Sequence, residues 1–329
     1  MEKSALTNQP VLIVGAGDMA GEYVKTLYHL GITPEKIHVV GRRKEKAERF
    51  ARQFKVRCQP GGTAALTSMS GYERAVVAVS HLDLPEVAKV LIERGSRYIL
   101  IEKPGALYKS QLEELEALAK QKSTRAFVAF NRRFFPSVDA VRTIIEEDGG
   151  LLSCHFDFTE LENLVLREKE TKHLPDEVLQ RWGIVNSFHV IDLFLNLAGR
   201  PSDWKSFRIG SLPWHPKGAT FSGAGITEKN VLFSYLSTWN GAGRWGLELT
   251  TPRRKMILRP LEALSIQKRA TFKLEDVRLP EEPQELKPGF LHQVKAFLLS
   301  SSGSPADSRL CSVTQAIKHF AVAEKILGY

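Results

Sequence analysis

The stretch Val11-Leu12-Ile13-Val14-Gly15-Ala16-Gly17-Asp18-Met19-Ala20 decides the reading of this chain. Four consecutive apolar residues suit a strand buried on both faces, as in a parallel sheet. They run directly into a glycine loop, after which Tyr23, Leu27 and Leu30 recur with helical spacing. A strand, a glycine loop and a helix in that order cradle a dinucleotide pyrophosphate, whose charge meets the N–H groups and positive dipole end of the helix. Gly15 permits the tight turn, Gly17 the close approach of backbone to phosphate, and Ala20 the packing of helix on strand; Asp18 and Met19 complete the cofactor-binding loop. A plain strand-to-helix turn is the alternative, and the position of the loop at the head of an alternating pattern argues against it.

That pattern continues to near Asn131. Ile37–Val40 reads as a strand and Lys44–Phe54 as a helix; Arg74–Ser80 reads as a buried strand, followed by a helix over Pro85–Arg94 that Gly95 ends. Tyr98–Ile101 is the next strand. Ser110 and Glu113 make a capping-box pattern at the head of a helix over Leu112–Lys120, and Ala126–Phe130 reads as the last strand of a unit ending near Asn131. Alternating strands and helices predict a parallel sheet covered on both faces. Beyond Asn131 the rhythm changes. Val138–Glu147 is an amphipathic helix, Leu151–Phe158 a strand, and Ile184–Ala198 a helix stopped by Gly199. Val231–Trp239 and Trp245–Thr250 read as strands joined in hairpin fashion through Asn240-Gly241-Ala242-Gly243. Two helices, Phe290–Leu299 and Ser312–Leu327, close the chain. Strands in succession predict an antiparallel sheet. The fold class is α/β: a Rossmann dinucleotide-binding domain over 1–131, and an α+β domain with a largely antiparallel open sheet over 132–329.

Composition narrows the function classes. The 329 residues exceed one ordinary core, in keeping with two domains. No apolar run reaches the roughly 18 residues a membrane span needs. The opening Met1-Glu2-Lys3-Ser4 lacks the basic-then-apolar order of a secretory signal, so a soluble cytoplasmic protein is expected. Cys58, Cys154 and Cys311 lie far apart without metal-ligand spacing, so they read as structural and no metal is expected. The net charge of +9 suits anionic partners, yet no nucleic-acid motif or sustained basic helix accompanies it. An anionic small substrate or a nucleotide 2'-phosphate accounts for it more simply.

Two further motifs face the cofactor edge of the first sheet. The second strand ends in Val40-Gly41-Arg42-Arg43, where an NAD site would offer an acidic residue to the ribose 2'-hydroxyl. Two guanidiniums there suit a 2'-phosphate instead, which points to NADP, with NAD as the alternative and a solvated basic helix start through Lys44 and Lys46 as the bland one. Ser80, at the end of its strand, is counted with the cofactor-binding residues. The second motif is Glu102-Lys103-Pro104, which places a lysine at the carboxyl end of a strand, where ligands bind in doubly wound sheets.

With these motifs together the chain resembles the glucose-fructose oxidoreductase / inositol dehydrogenase / rhizopine catabolism (Gfo/Idh/MocA) superfamily over nearly its whole length. Val128-Ala129-Phe130-Asn131-Arg132-Arg133-Phe134 is similar to the family's domain crossover, and Phe290-Leu291-His292-Gln293-Val294-Lys295-Ala296-Phe297 to its late helix. The resemblance implies that Glu102 and Lys103 lie beside the nicotinamide, that Lys103 hydrogen-bonds the reacting oxygen, and that its bond to Pro104 is often cis. An ammonium beside a developing alkoxide is a chemically sound electrostatic partner. The family's second pattern is an aspartate, a histidine four residues on and a later aspartate. Here it falls on Val185, His189 and Asp192, so the first acid is replaced by valine. Asn186 shares a helix face with His189 and could bind substrate; His189 is an expected acid/base or a structural bridge. Arg132 is expected to bind substrate, while a helix-start salt bridge suits one of Arg132 and Arg133. Arg244, Trp245 and Trp239 read as packing and surface charge, with a sugar pocket as the alternative, and Arg253-Arg254-Lys255 as a strand entry.

The resemblance implies an NAD(P)-dependent oxidoreductase acting on a carbohydrate, sugar derivative or polyol, assembled as a homodimer or homotetramer through the open sheet, with neither nucleic acid nor membrane as partner. Two other functions suit the fold: a redox-neutral glycosidase or lyase that recycles its nucleotide within each turnover, and a non-catalytic nucleotide sensor.

Overall fold

The computed structural model describes residues 9–69, 72–301 and 305–329; Met1-Glu2-Lys3-Ser4, read above for a leader, lies outside them. In the first sheet β1 (Val11–Val14), β2 (Ile37–Gly41), β3 (Arg57–Pro60), β4 (Arg74–Val77), β5 (Tyr98–Glu102) and β6 (Arg125–Ala129) run parallel in the order 3-2-1-4-5-6. This is the doubly wound Rossmann order, which reverses at β1 and so opens a crevice at its carboxyl end. The strand β3 has no counterpart in the sequence reading. The intervening helices are α1 (Asp18–His29), α2 (Lys44–Phe54), α3 (Gly62–Leu66), α4 (Leu84–Glu93) and α5 (Lys109–Gln121). Helix α5 starts at Lys109, one residue before the predicted cap; there the Gln111 side chain accepts the Tyr108 N–H at 3.1 Å, in place of the Ser110–Glu113 box.

The chain forms two units, and the first takes the described residues through Phe134 together with Glu282–Ile317. The sequence boundary at 131/132 therefore misses a returning segment. The cause is apolar: Phe290, Val294 and Phe297 of the helix Phe290–Leu299 join the core containing Tyr23, Val24 and Leu27, and the rings of Tyr23 and Phe290 lie 5.2 Å apart. A two-residue strand, Cys311–Ser312, also adds to β6 in the antiparallel sense.

The second unit comprises Phe135–Glu281 and Lys318–Tyr329. Its sheet takes β7 (Ser153–Asp157), β8 (Pro201–Ile209), β9 (Thr220–Thr227), β10 (Leu232–Thr238), β11 (Gly246–Thr250), β12 (Arg254–Leu258), β13 (Ser265–Lys268) and β14 (Leu274–Asp276) in the order 14-13-12-11-7-10-9-8. Every pair is antiparallel except β7 with β10. The expected β10–β11 hairpin does not form, because β7 lies between them and pairs with both. Its helices are α6 (Pro136–Glu147), α7 (Glu162–Lys172), α8 (Asp176–Gln180) and α9 (Phe188–Ala198), and α9 packs on one sheet face by stacking Phe194 on Phe156 at 4.5 Å. The other face carries exposed Phe207, Leu232 and Leu236.

Arg254 opens β12 as a strand entry. Its guanidinium grips buried Asp148 bidentately, at 2.7 and 2.8 Å, and Thr251 adds a bond at 2.6 Å. The Arg254 hydrogen bonds, with that from Thr251, hold the Asp148 carboxyl down at about 2. A depressed carboxylate stabilises the fold above its unfolded pKa of about 3.9, and that contribution is lost as pH falls toward the folded value. Between about pH 4 and 2 the urea midpoint should therefore fall, and Asp148→Asn should flatten that dependence while lowering the midpoint at neutral pH. Among the described residues no helix is long and apolar enough to cross a membrane.

Candidate active site

At the head of α1 the backbone leaves room for glycine alone. Gly15 has φ +127°, and a Cβ there would lie 2.0 Å from the Ala78 carbonyl oxygen, since the loop is drawn in by Gly15 N–H donating to Val40 O at 2.8 Å and Ala78 N–H to Val14 O at 2.8 Å. Gly17 differs: the nearest atom to its built Cβ is Lys46 Nζ at 3.9 Å. Among the described residues no side chain caps the N-terminus of α1. Uncapped N–H groups, an open approach over Gly17 and an overhanging ammonium are what a pyrophosphate requires, so the loop fits a dinucleotide. Lys46, read in the sequence as part of a solvated helix start, thus belongs to the candidate site. Ala20 is buried on the sheet side, Asp18 is exposed, and Met19 Sδ lies 3.1 Å from Lys287 Nζ.

Val14, Val77 and Ile101 stand in register across β1, β4 and β5. Lys103 therefore emerges at the same sheet edge as the glycine loop, two strand spacings or about 10 Å away. The Lys103–Pro104 bond is cis. Glu102 is turned inward: buried, it accepts the Tyr23 hydroxyl of α1 at 2.6 Å. Burial pushes its carboxyl up, against the pull of Tyr23, Lys103 and Lys287. The structure thus shows Glu102 tying β5 to α1.

Beyond β2, Arg42 reaches Asp83 with Nη1 3.3 Å from Oδ2, and Ser80 Oγ donates to the same oxygen at 2.6 Å. Arg43 caps the start of α2 with its backbone, its side chain exposed. The two crossover arginines part company. Arg133 is fully buried, donating to Gln315 Oε1 at 3.0 Å, whereas Arg132 is partly exposed beside Asn131 Oδ1 at 3.4 Å. Asn131 in turn donates to Pro288 O at 3.0 Å.

In the second unit the predicted helix begins as a π-turn over Gly183–Ser187 before α9. Such turns recur at functional sites because they re-aim the side chains they carry. Asn186 and Ser187 donate to Glu160 at 3.0 and 2.6 Å. Glu160, beyond the end of β7, is 2% exposed, and burial pushes its carboxyl above the usual range against these hydrogen bonds and the charge of Arg244. It is a residue the sequence reading passed over; its place just after a strand was the available signal. His189 is buried with its ring 6.1 Å from that of Trp245, over which Arg244 lies at 4.7 Å. Trp239, by contrast, is core, stacked on Trp214 and donating to Phe158 O at 3.2 Å.

Asp192 corrects the sequence reading. It is 1% exposed and its Oδ1 lies 2.8 Å from His319 Nδ1, on the closing helix Val313–Leu327, so its carboxylate is committed to packing that helix on α9 in place of substrate. The fixed π-turn has its own brace: Gly183 N–H donates to the Tyr329 hydroxyl at 3.2 Å, which lies 2.6 Å from His215 Nε2. Burial pushes the His215 imidazole down to about 4, so it is neutral at physiological pH. Cys58 is half-buried, and burial pushes its thiol up to about 11; Cys154 and Cys311 are buried. Among the described residues no three His, Cys, Asp or Glu side chains group as a metal site.

The family model GFO_IDH_MocA, described as "Oxidoreductase family, NAD-binding Rossmann fold", matches residues 10–130. Trans-1,2-dihydrobenzene-1,2-diol dehydrogenase of Mus musculus is 26% identical over 134 residues, 40% of each chain. The alignments with this enzyme from mouse and rabbit span less than half of its length. Among solved structures, a putative NADPH-dependent oxidoreductase from Desulfitobacterium hafniense superposes with TM-score 0.79 at 14% identity, over 98% of this chain and 95% of that one. Levoglucosan dehydrogenase in complex with NADH gives 0.76 at 16%, over 97% and 96%. At these identities the likeness is one of fold.

Proposed function

We propose that this chain, whose residues 10–130 match the Gfo/Idh/MocA oxidoreductase family model, is an NAD(P)-dependent dehydrogenase, NADP-preferring, acting on a hydroxyl or carbonyl of a carbohydrate, sugar derivative or polyol. One observation carries the reading: Lys103 emerges at the carboxyl edge of the sheet in register with a loop whose Gly15 has room for no side chain. Bound nicotinamide nucleotide supplies or accepts the hydride. Lys103 donates a hydrogen bond to the reacting oxygen and stabilises the charge that develops on it as the C–H bond breaks. His189 exchanges the proton, and Glu160 fixes Asn186 on the turn that leads into the histidine helix. The dehydrogenases and the NADPH-dependent enzyme among the similar proteins support the reaction class. The exposed apolar face of the second sheet supports a homodimer or homotetramer, and a cytoplasmic location belongs to the same reading.

Incubating the protein with NADP+ or NAD+ and a panel of sugars, polyols and vicinal diols, and following nucleotide reduction, tests the proposal. Net reduction by one substrate class, faster with NADP+, is the expected result; turnover with no net change in nucleotide would instead establish the redox-neutral reading. Replacing Arg42 and Arg43 together by alanine should weaken NADPH by roughly ten- to a hundredfold, as loss of charge-assisted bonds worth about 1.5–3 kcal/mol requires. NADH affinity should change by less than about threefold, as read by nucleotide fluorescence, because it has no 2'-phosphate for the guanidiniums to hold.

A further inference from the structure

We infer that Asp83 sets how strongly this protein selects a 2'-phosphorylated nucleotide, by competing with the phosphate for Arg42; the inference rests on the nucleotide-binding reading above. Asp83 is held by its own turn. Its N–H donates to Ser80 O at 2.9 Å, Ser80 Oγ donates to its Oδ2 at 2.6 Å, and its carbonyl accepts Val87 N–H at 3.1 Å in the first turn of α4. The carboxylate is thus placed whether or not a cation arrives. Arg42 is the more exposed partner. A Cβ on Gly62 would lie 3.6 Å from its Cα, Cβ and Cγ, so the stem runs against the start of α3, while the side chain is 71% exposed and its guanidinium reaches Asp83 at 3.3 Å.

Arg42 directly follows the strand whose end, in this fold, meets the adenosine ribose. A 2'-phosphate can claim the guanidinium only by drawing it from Asp83 or by sharing it with that carboxylate, and sharing sets two anions side by side. A nucleotide with a free 2'-hydroxyl leaves the pair intact. Asp83 therefore taxes the phosphorylated nucleotide alone. It is the acidic residue missing from the end of β2, supplied from the turn after β4 and aimed at the arginine.

The test is a fluorescence titration of full-length wild type and Asp83→Asn with NADPH and NADH. Asparagine keeps an acceptor for Ser80 and removes the charge. NADPH should bind about two- to fivefold more tightly, the upper range of an exposed ion pair, with NADH unchanged. In an Arg42→Ala background the same substitution should give no gain, because the effect passes through Arg42. An unchanged NADPH/NADH ratio, or an equal gain without Arg42, overturns the inference while leaving the nucleotide site standing. Failure of wild type to bind either nucleotide overturns both.

Discussion

Lys103→Ala should lower kcat by roughly 10²–10⁴-fold, the span over which a positioned proton donor or charge partner usually acts, and leave NADPH affinity within about threefold. The asymmetry follows from where the residue sits. Its ammonium lies at the end of β5, about 10 Å from the loop that would hold the pyrophosphate, so the nucleotide's main anchor is untouched. The reacting oxygen loses its partner only as charge develops, which is a transition-state interaction and falls on kcat more than on KM. Steady-state kinetics on the substrate class found by the panel, with a nucleotide titration in parallel, separates the two. Unchanged turnover in Lys103→Ala would remove the residue from the chemistry, and biological activity that survives the substitution would favour the nucleotide-sensing alternative.

The second large effect separates two glycines that look equivalent in the sequence. Gly15→Val should abolish nucleotide binding and also destabilise the first unit, because a Cβ 2.0 Å from the Ala78 oxygen cannot be accommodated and φ +127° is strained for any L side chain. The strain alone is worth about 1–3 kcal/mol, and the backbone overlap adds to it. Gly17→Val should behave differently. Its built Cβ meets nothing nearer than Lys46 Nζ at 3.9 Å and its φ of −105° suits any residue, so the protein should melt within a few degrees of wild type. Nucleotide affinity should nonetheless fall by more than about tenfold, since the side chain fills the phosphate approach. Thermal denaturation and titration of both variants give the four numbers needed; equal destabilisation by the two would contradict the geometry.

These outcomes also show which parts of the molecule a sequence can disclose. The strand-loop-helix head was legible because three local signals agree there: four buried apolar residues, two glycines and a helical repeat. Strand β3 was not, since Arg57-Cys58-Gln59-Pro60 at the sheet edge is mostly exposed and shows no apolar alternation. The β10–β11 hairpin failed for a related reason. Asn240-Gly241-Ala242-Gly243 has turn chemistry, but only the fold reveals that β7, more than 70 residues earlier in the chain, intervenes. Asp192 was misread because α9 is buried almost all round, so helical spacing could not say which polar residue meets the neighbouring helix. Glu160 and Asp83 escaped because their partners, Asn186 and Arg42, lie 26 and 41 residues away.

The most direct test of the central claim is titration of the purified protein, freed of nucleotide, with NADPH and NADH, read by the fluorescence of the reduced nicotinamide. Saturable binding of NADPH in the micromolar range, tighter than NADH by about tenfold or more, lost in Gly15→Val and kept in Lys103→Ala, is the expected result. Binding of neither nucleotide at sub-millimolar concentration would reduce the glycine loop to a structural turn and contradict the catalytic assignments that rest on it.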